Sequence, residues 1–274
     1  MMNKIYSYRV ILFMKKIFSV YLALFLCAGI QIVLWAEPID FATQKSTHFI
    51  IKYRCEKQFA RKVGQYAEQY YYKIENDLCL NRFSNFWTWD KRCIIIIYSS
   101  YDEYIRVTGQ PDWSGGHVDY KNRVIYSFQW ADNFLSVLLP HELTHIIFRE
   151  YAGSGRRIPL WIDEGLAQYE ERTPNPERAE VLKKSVRGAM FIPLNNLQKI
   201  NELTTQPTDG VVLFYAQSES IISFMIQKFG KTRFAEFIRQ LRSGKTVPES
   251  LRLAYAGTID TLDKLEIKWL ESVQ

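Results

Sequence analysis

Apolar positions along the chain follow a strand period in places and a helix period in others, and the balance shifts near the middle. His48 to Arg54 alternates apolar and polar residues, as a strand with one buried face would. Glu56 to Asn76 reads as an amphipathic helix. Cys93 to Tyr98 contains four consecutive isoleucines, the pattern of a strand buried on both faces. Gly115-Gly116 then leads into an expected hairpin, Val118 to Tyr120 and Arg123 to Phe128, turning at Lys121-Asn122.

From Asp132 onward the pattern is almost wholly helical. Asp132 can cap a helix that continues to about Tyr151, with Pro140 inside it removing one backbone donor and bending it. Gly153, Gly155 and Pro159 mark a loop, and a second helix is expected from about Leu160 to Arg172. Further helices are expected over Pro176 to Arg187, Gly210 to Phe229, Lys231 to Leu241 and Thr258 to Ser272. Strands first and helices afterwards predict an α+β fold: a small mixed sheet in the N-terminal half and a mainly helical C-terminal half.

The N-terminus has a different character. Lys15-Lys16 precedes Ile17 to Trp35, an apolar run of 19 residues whose most polar member is Gln31, and Ala36-Glu37-Pro38 follows. A basic start, an apolar stretch and a small residue before a polar segment describe a secretory signal, and Met14 would open a conventional one. The run is also long enough to span a bilayer, and Leu34 is bulky for the third position before a cleavage site. Residues 1–36 are therefore a signal peptide or a membrane anchor through 17–35. On either reading residues 37–274 form a single domain that is exported, periplasmic or extracellular.

This segment also explains the charge. The chain has 35 basic and 29 acidic residues, a formal +6. Lys4, Arg9, Lys15 and Lys16 supply four of those positive charges with no acid nearby, so the remainder carries only about +2. That excess is too small for a phosphate-binding surface, and no nucleic-acid partner is expected. Cys55, Cys79 and Cys93 have no C-x-x-C spacing, which argues against a cysteine zinc site. One pair of them could close a disulfide in an oxidising compartment, and nothing in the sequence selects which.

His141-Glu142-Leu143-Thr144-His145 is an H-E-x-x-H pattern in a segment expected to be helical. Residues four apart lie on one helix face, about 6 Å apart along the axis, so two imidazoles can converge on one zinc. Glu142 stands one residue round the helix, placed to reach a water rather than to ligate. A catalytic zinc takes three protein ligands and leaves a position open. Trp161-Ile162-Asp163-Glu164-Gly165-Leu166-Ala167 offers a carboxylate, Glu164, on the next helix.

Together these two motifs resemble those of the gluzincin metallopeptidases, particularly the peptidase-MA-like group. The resemblance implies a thermolysin-like catalytic fold, one Zn2+ per chain held by His141, His145 and Glu164, and Glu142 as the base. It implies hydrolysis of peptide or protein substrates by an endopeptidase or narrow-specificity peptidase. Tyr215, in Tyr215-Ala216-Gln217-Ser218, resembles a segment of that group and is the expected second electrophile beside the metal. The metzincin pattern is excluded, because no glycine and third histidine follow His145. Nothing upstream of His141 matches the aminopeptidase motif G-x-M-E-N.

Other residues carry less. Gln168 is either a solvated position or a group that orients a ligand, and Asp163 is read as a helix-start charge of unclear role. His117 is either a loop or strand histidine without chemistry or a group that meets substrate, and His48 is structural. The Arg123 to Phe128 strand is the expected edge for an extended peptide. The rival to catalysis is a zinc-stabilised binding or assembly module at the membrane, against which Glu142 argues.

Overall fold

The computed structural model describes residues 40–79, 91–110, 114–129, 133–153, 158–171, 175–203 and 207–273. The apolar segment 17–35, Asp132, Gly155 and Arg172 lie outside the described residues.

Five strands form one sheet: β1 (Ala42–Lys45), β2 (Phe49–Tyr53), β3 (Cys93–Tyr98), β4 (Gly116–Asp119) and β5 (Val124–Phe128), in the order β1-β2-β3-β5-β4. The β2–β3 and β3–β5 pairs are parallel, and β1 and β4 run antiparallel at the two edges. The isoleucine run is the centre of the sheet for a simple reason. Cys93, Ile95 and Ile97 are fully buried on one face, with Ile51 and Ile125 beside them. The opposite face carries Tyr98, Phe128 and the partly buried Ile96 and Tyr126, packed on Tyr104 of α2 (Tyr101–Thr108).

One expectation is corrected here. The Arg123 to Phe128 strand is not an edge, because β5 is paired on both sides. The edge belongs to β4, the other arm of the same hairpin. The three cysteines of the body are all free, and Cys93 is buried within β3.

The main core lies between the sheet and the helices. Helix α1 (Lys57–Asp77) turns Ala60, Val63, Gly64, Ala67, Tyr70, Tyr71 and Ile74 inward, a three- and four-residue spacing that lines one face. After β5 the chain forms a π-helical turn, Phe134–Leu138, that runs directly into α3 (Leu139–Ala152). Pro140 lacks the N–H that would close the i→i−4 ladder, so the widened turn lies where that ladder is interrupted. Gly153, with φ of 95°, ends α3.

Then follow α4 (Leu160–Tyr169), α5 (Pro176–Arg187), α6 (Leu194–Leu197), α7 (Thr208–Phe229), α8 (Lys231–Arg242), α9 (Val247–Ala254) and α10 (Leu262–Val273). The last helix starts at Leu262 rather than Thr258, whose hydroxyl bonds back to the Tyr255 carbonyl in a turn. The fold is α+β, a small mixed sheet followed by helices. Among the described residues no helix is long and apolar enough to cross a membrane.

Candidate metal centre

Helices α3 and α4 build the centre between them. On α3, His141, His145 and Arg149 follow one another at intervals of four and form a single stripe. On α4, Pro159 precedes the first turn, and Glu164 and Gln168 lie one turn apart with Glu171 just beyond the helix. The reason α4 can sit deep is Gly165. A Cβ there would stand 2.6 Å from the Ser218 carbonyl oxygen of α7, a contact that only glycine avoids.

These helices bring the ring nitrogens of His141 and His145 and a Glu164 carboxylate oxygen within 4.8 Å of one another. The His141 and His145 Nε2 atoms are 3.1 Å apart, and each is 3.6 Å from Glu164 Oε2. A tetrahedral ion with bonds of about 2.0–2.1 Å needs ligand edges of about 3.3–3.4 Å, so this triangle fits one zinc. Two nitrogens and one carboxylate oxygen are also a donor set suited to that metal.

The other ring nitrogens are already committed. His145 Nδ1 is 2.8 Å from Asp163 Oδ1, and His141 Nδ1 is 2.8 Å from Glu171 Oε1. Each carboxylate is held in turn by an arginine: Asp163 by Arg149 at 2.6–2.8 Å, Glu171 by Arg178 at 3.2 Å. Both histidines are thereby locked with Nε2 facing the centre, since a carboxylate at Nδ1 fixes the tautomer.

The electrostatics point the same way. Burial alone would lower His145, but its bonds with Asp163 and Glu164 push it up to about 10. Burial would likewise raise Glu164, yet the two imidazoles hold it well below the usual carboxylate range. The same carboxylates that favour positive charge on the imidazoles would favour a divalent cation between them.

Around this group stand the remaining residues. Glu142 accepts a hydrogen bond of 3.3 Å from the Tyr120 hydroxyl. Tyr215, half-buried on α7, has its hydroxyl pushed up to about 12, first by burial and then by the Glu164 charge. The Arg178 guanidinium lies 6.0 Å from the Tyr215 ring centroid. Gln168 is buried rather than solvated, and its Oε1 accepts from Arg178 at 2.6 Å. Asp163 is not a bare helix-start charge but the partner of His145.

His117 points away. On β4 it pairs with Tyr126, which belongs to the sheet face covered by α2, and the two rings stack at 4.5 Å. His48 bonds Glu68 and stacks on Tyr71, a structural role. A cavity of about 790 Å³ runs along the end of α3 past Tyr120, Ile146, Arg149 and Asp163. Another, of about 880 Å³, follows α7 past Arg178, Ala216 and Glu219.

Four members of the centre escape a reading based on motifs: Tyr120, Arg149, Glu171 and Arg178. Arg149 was signalled by the continued four-residue stripe after His145, and Glu171 by its place seven residues after Glu164 on the same face. Tyr120 and Arg178 come from other elements and leave no local sign. A family model, the peptidase MA superfamily, matches residues 90–274, which include every residue of the centre. No curated protein matches the chain.

Proposed function

The chain belongs to the peptidase MA superfamily, and from that premise we propose that it is a zinc-dependent peptidase with His141, His145 and Glu164 as metal ligands. The observation that carries this reading is the triangle of donor atoms, sized for one zinc and backed by a carboxylate behind each imidazole. Zinc bound there supplies Lewis acidity to the scissile carbonyl and to the attacking water.

The protein's own groups do the rest. Glu142 takes a proton from the attacking water and delivers it to the leaving nitrogen. The carbonyl oxygen gains negative charge as the water adds, and the Tyr215 hydroxyl donates a hydrogen bond to it. An extended peptide lies along the outer edge of β4, which has no partner strand among the described residues and leads into the turn whose Tyr120 bonds Glu142. The basic residues ahead of the apolar run 17–35 support export, so the substrates are periplasmic or extracellular peptides or proteins.

The test is Glu142→Gln, which keeps the shape of the side chain and removes its basicity. Zinc content and melting temperature stay as in the parent, and cleavage of a peptide library, followed by mass spectrometry, drops by a factor of about 10² or more. Turnover equal to the parent would remove Glu142 from the mechanism. A zinc-loaded parent that cleaves nothing would favour a metal-stabilised module without turnover.

A further inference from the structure

We propose that Tyr120, in the turn between β4 and β5, is a positioning residue for Glu142, and that Arg149 holds Tyr120 in place. The proposal rests on the reading of Glu142 as the base.

A tyrosine 40% exposed at a hairpin turn normally has nothing to hold it. Here three contacts do. The hydroxyl donates to Glu142 Oε2 at 3.3 Å. The ring meets His145 edge-on, with centroids 6.2 Å apart. The Arg149 guanidinium lies 4.2 Å from the ring centroid, within the range of a cation–π contact. Arg149 is itself anchored by Asp163, the carboxylate that orients His145. Glu142, Tyr120, Arg149, Asp163 and His145 therefore close a ring through α3, which carries Glu142, His145 and Arg149.

Two consequences follow from that ring. A glutamate side chain has three rotatable bonds, and one hydrogen bond at Oε2 selects a single arrangement while leaving Oε1 to receive a proton. The Tyr120 ring contacts with Arg149 and His145, which do not involve the hydroxyl, fasten the hairpin turn to α3 and hold the edge of β4 near the base.

Tyr120→Phe isolates the hydroxyl, because the ring still meets His145 and Arg149. A hydrogen bond of ordinary net worth predicts that kcat falls on the order of tenfold. KM, zinc affinity and melting temperature stay unchanged, which a general loosening of the hairpin would not allow. In a Glu142→Asp background the carboxylate is one methylene too short for Tyr120, so adding Tyr120→Phe costs nothing further. A second tenfold loss there would mean that the hydroxyl acts without Glu142 and would overturn the proposal.

Crystal structures of the zinc-loaded parent and of Tyr120→Phe give a readout independent of turnover. Glu142 holds one rotamer in the parent and spreads over several in the variant; one shared rotamer in both would overturn the proposal. A parent that shows no hydrolysis would sink the peptidase reading, while the rotamer comparison would still decide the place of Tyr120.

Discussion

At the residue scale the centre consists of two imidazole–carboxylate–arginine relays that share Glu164 at their inner end. In each, the imidazole turns one nitrogen to the centre because the other is bonded to a buried or nearly buried acid. Burial would raise the Asp163 carboxyl, but His145 and Arg149 keep it ionised. Glu164 and Asp163 are neighbours about 100° apart on a helix, so they cannot both face the candidate metal centre. Glu164→Ala should therefore nearly abolish zinc binding in a chelator competition. Asp163→Ala should weaken it by about 10–100-fold, the usual cost of losing a group that orients a ligand. Equal losses would exchange their roles. Tyr215→Phe should lower kcat by about 10²-fold with zinc affinity unchanged, if its hydroxyl meets the transition state. An unchanged kcat would leave it a packing residue.

At the element scale the decisive contact is the crossing of α4 and α7. A Cβ on Gly165 would run into the Ser218 carbonyl and Ile222, and Tyr215 stands one turn before Ser218 on the same helix. The W-x-x-E-G-x-A motif thus does two things at once: Glu164 faces the candidate metal centre while Gly165 admits the helix that carries Tyr215. Gly165→Ala would place a Cβ 2.6 Å from a backbone oxygen, which cannot move without shifting α7. The expected cost is roughly 1–3 kcal/mol of stability, as in other overpacked cores. Differential scanning calorimetry would measure it, and a melting temperature equal to the parent's would show that the crossing is loose. Gln217 secures the far side of α7 by bonding both the N–H and the C=O of Ile192, at 2.9 and 2.5 Å.

For the whole molecule, the sheet half and the helical half are joined by a group of charges beneath the centre. Lys73 of α1 bonds Asp77 at 3.1 Å and also Glu170, just after α4, while Lys231 of α8 bonds Asp77. Glu170 is fully buried, and burial pushes its carboxyl up to about 7 even though Lys73 opposes the shift. Lys73→Met would leave that acid without its cation. Lys73 is partly solvated, so the loss should be of the order of 2 kcal/mol rather than that of a wholly buried pair. Glu170 can escape by taking a proton, which becomes harder as pH rises. The deficit in melting temperature should therefore grow between pH 6 and pH 8, and Glu170→Gln in the same chain should recover part of it. A deficit independent of pH, measured by thermal melts, would show that Glu170 does not depend on Lys73.

Local periodicity carried much of this structure in the sequence itself. The inward face of α1, the isoleucine strand at the sheet centre and the helices Pro176–Arg187, Thr208–Phe229 and Lys231–Arg242 follow from spacings of two, three and four residues. So do the histidine pair and the carboxylate on the next helix, because a helix fixes which residues share a face whatever surrounds it. Other features depended on which surface meets which, and no local spacing encodes that. The polar segment at Ala42–Lys45 is a strand only because β2 pairs with it, and β5 is internal only because β3 and β4 flank it. Cys55, Cys79 and Cys93 remain free thiols. Tyr120 and Glu142 are 22 positions apart, and Glu171 and His141 are 30 apart. Their meeting was decided by the packing of the hairpin and α4 onto α3, a property of the tertiary structure alone.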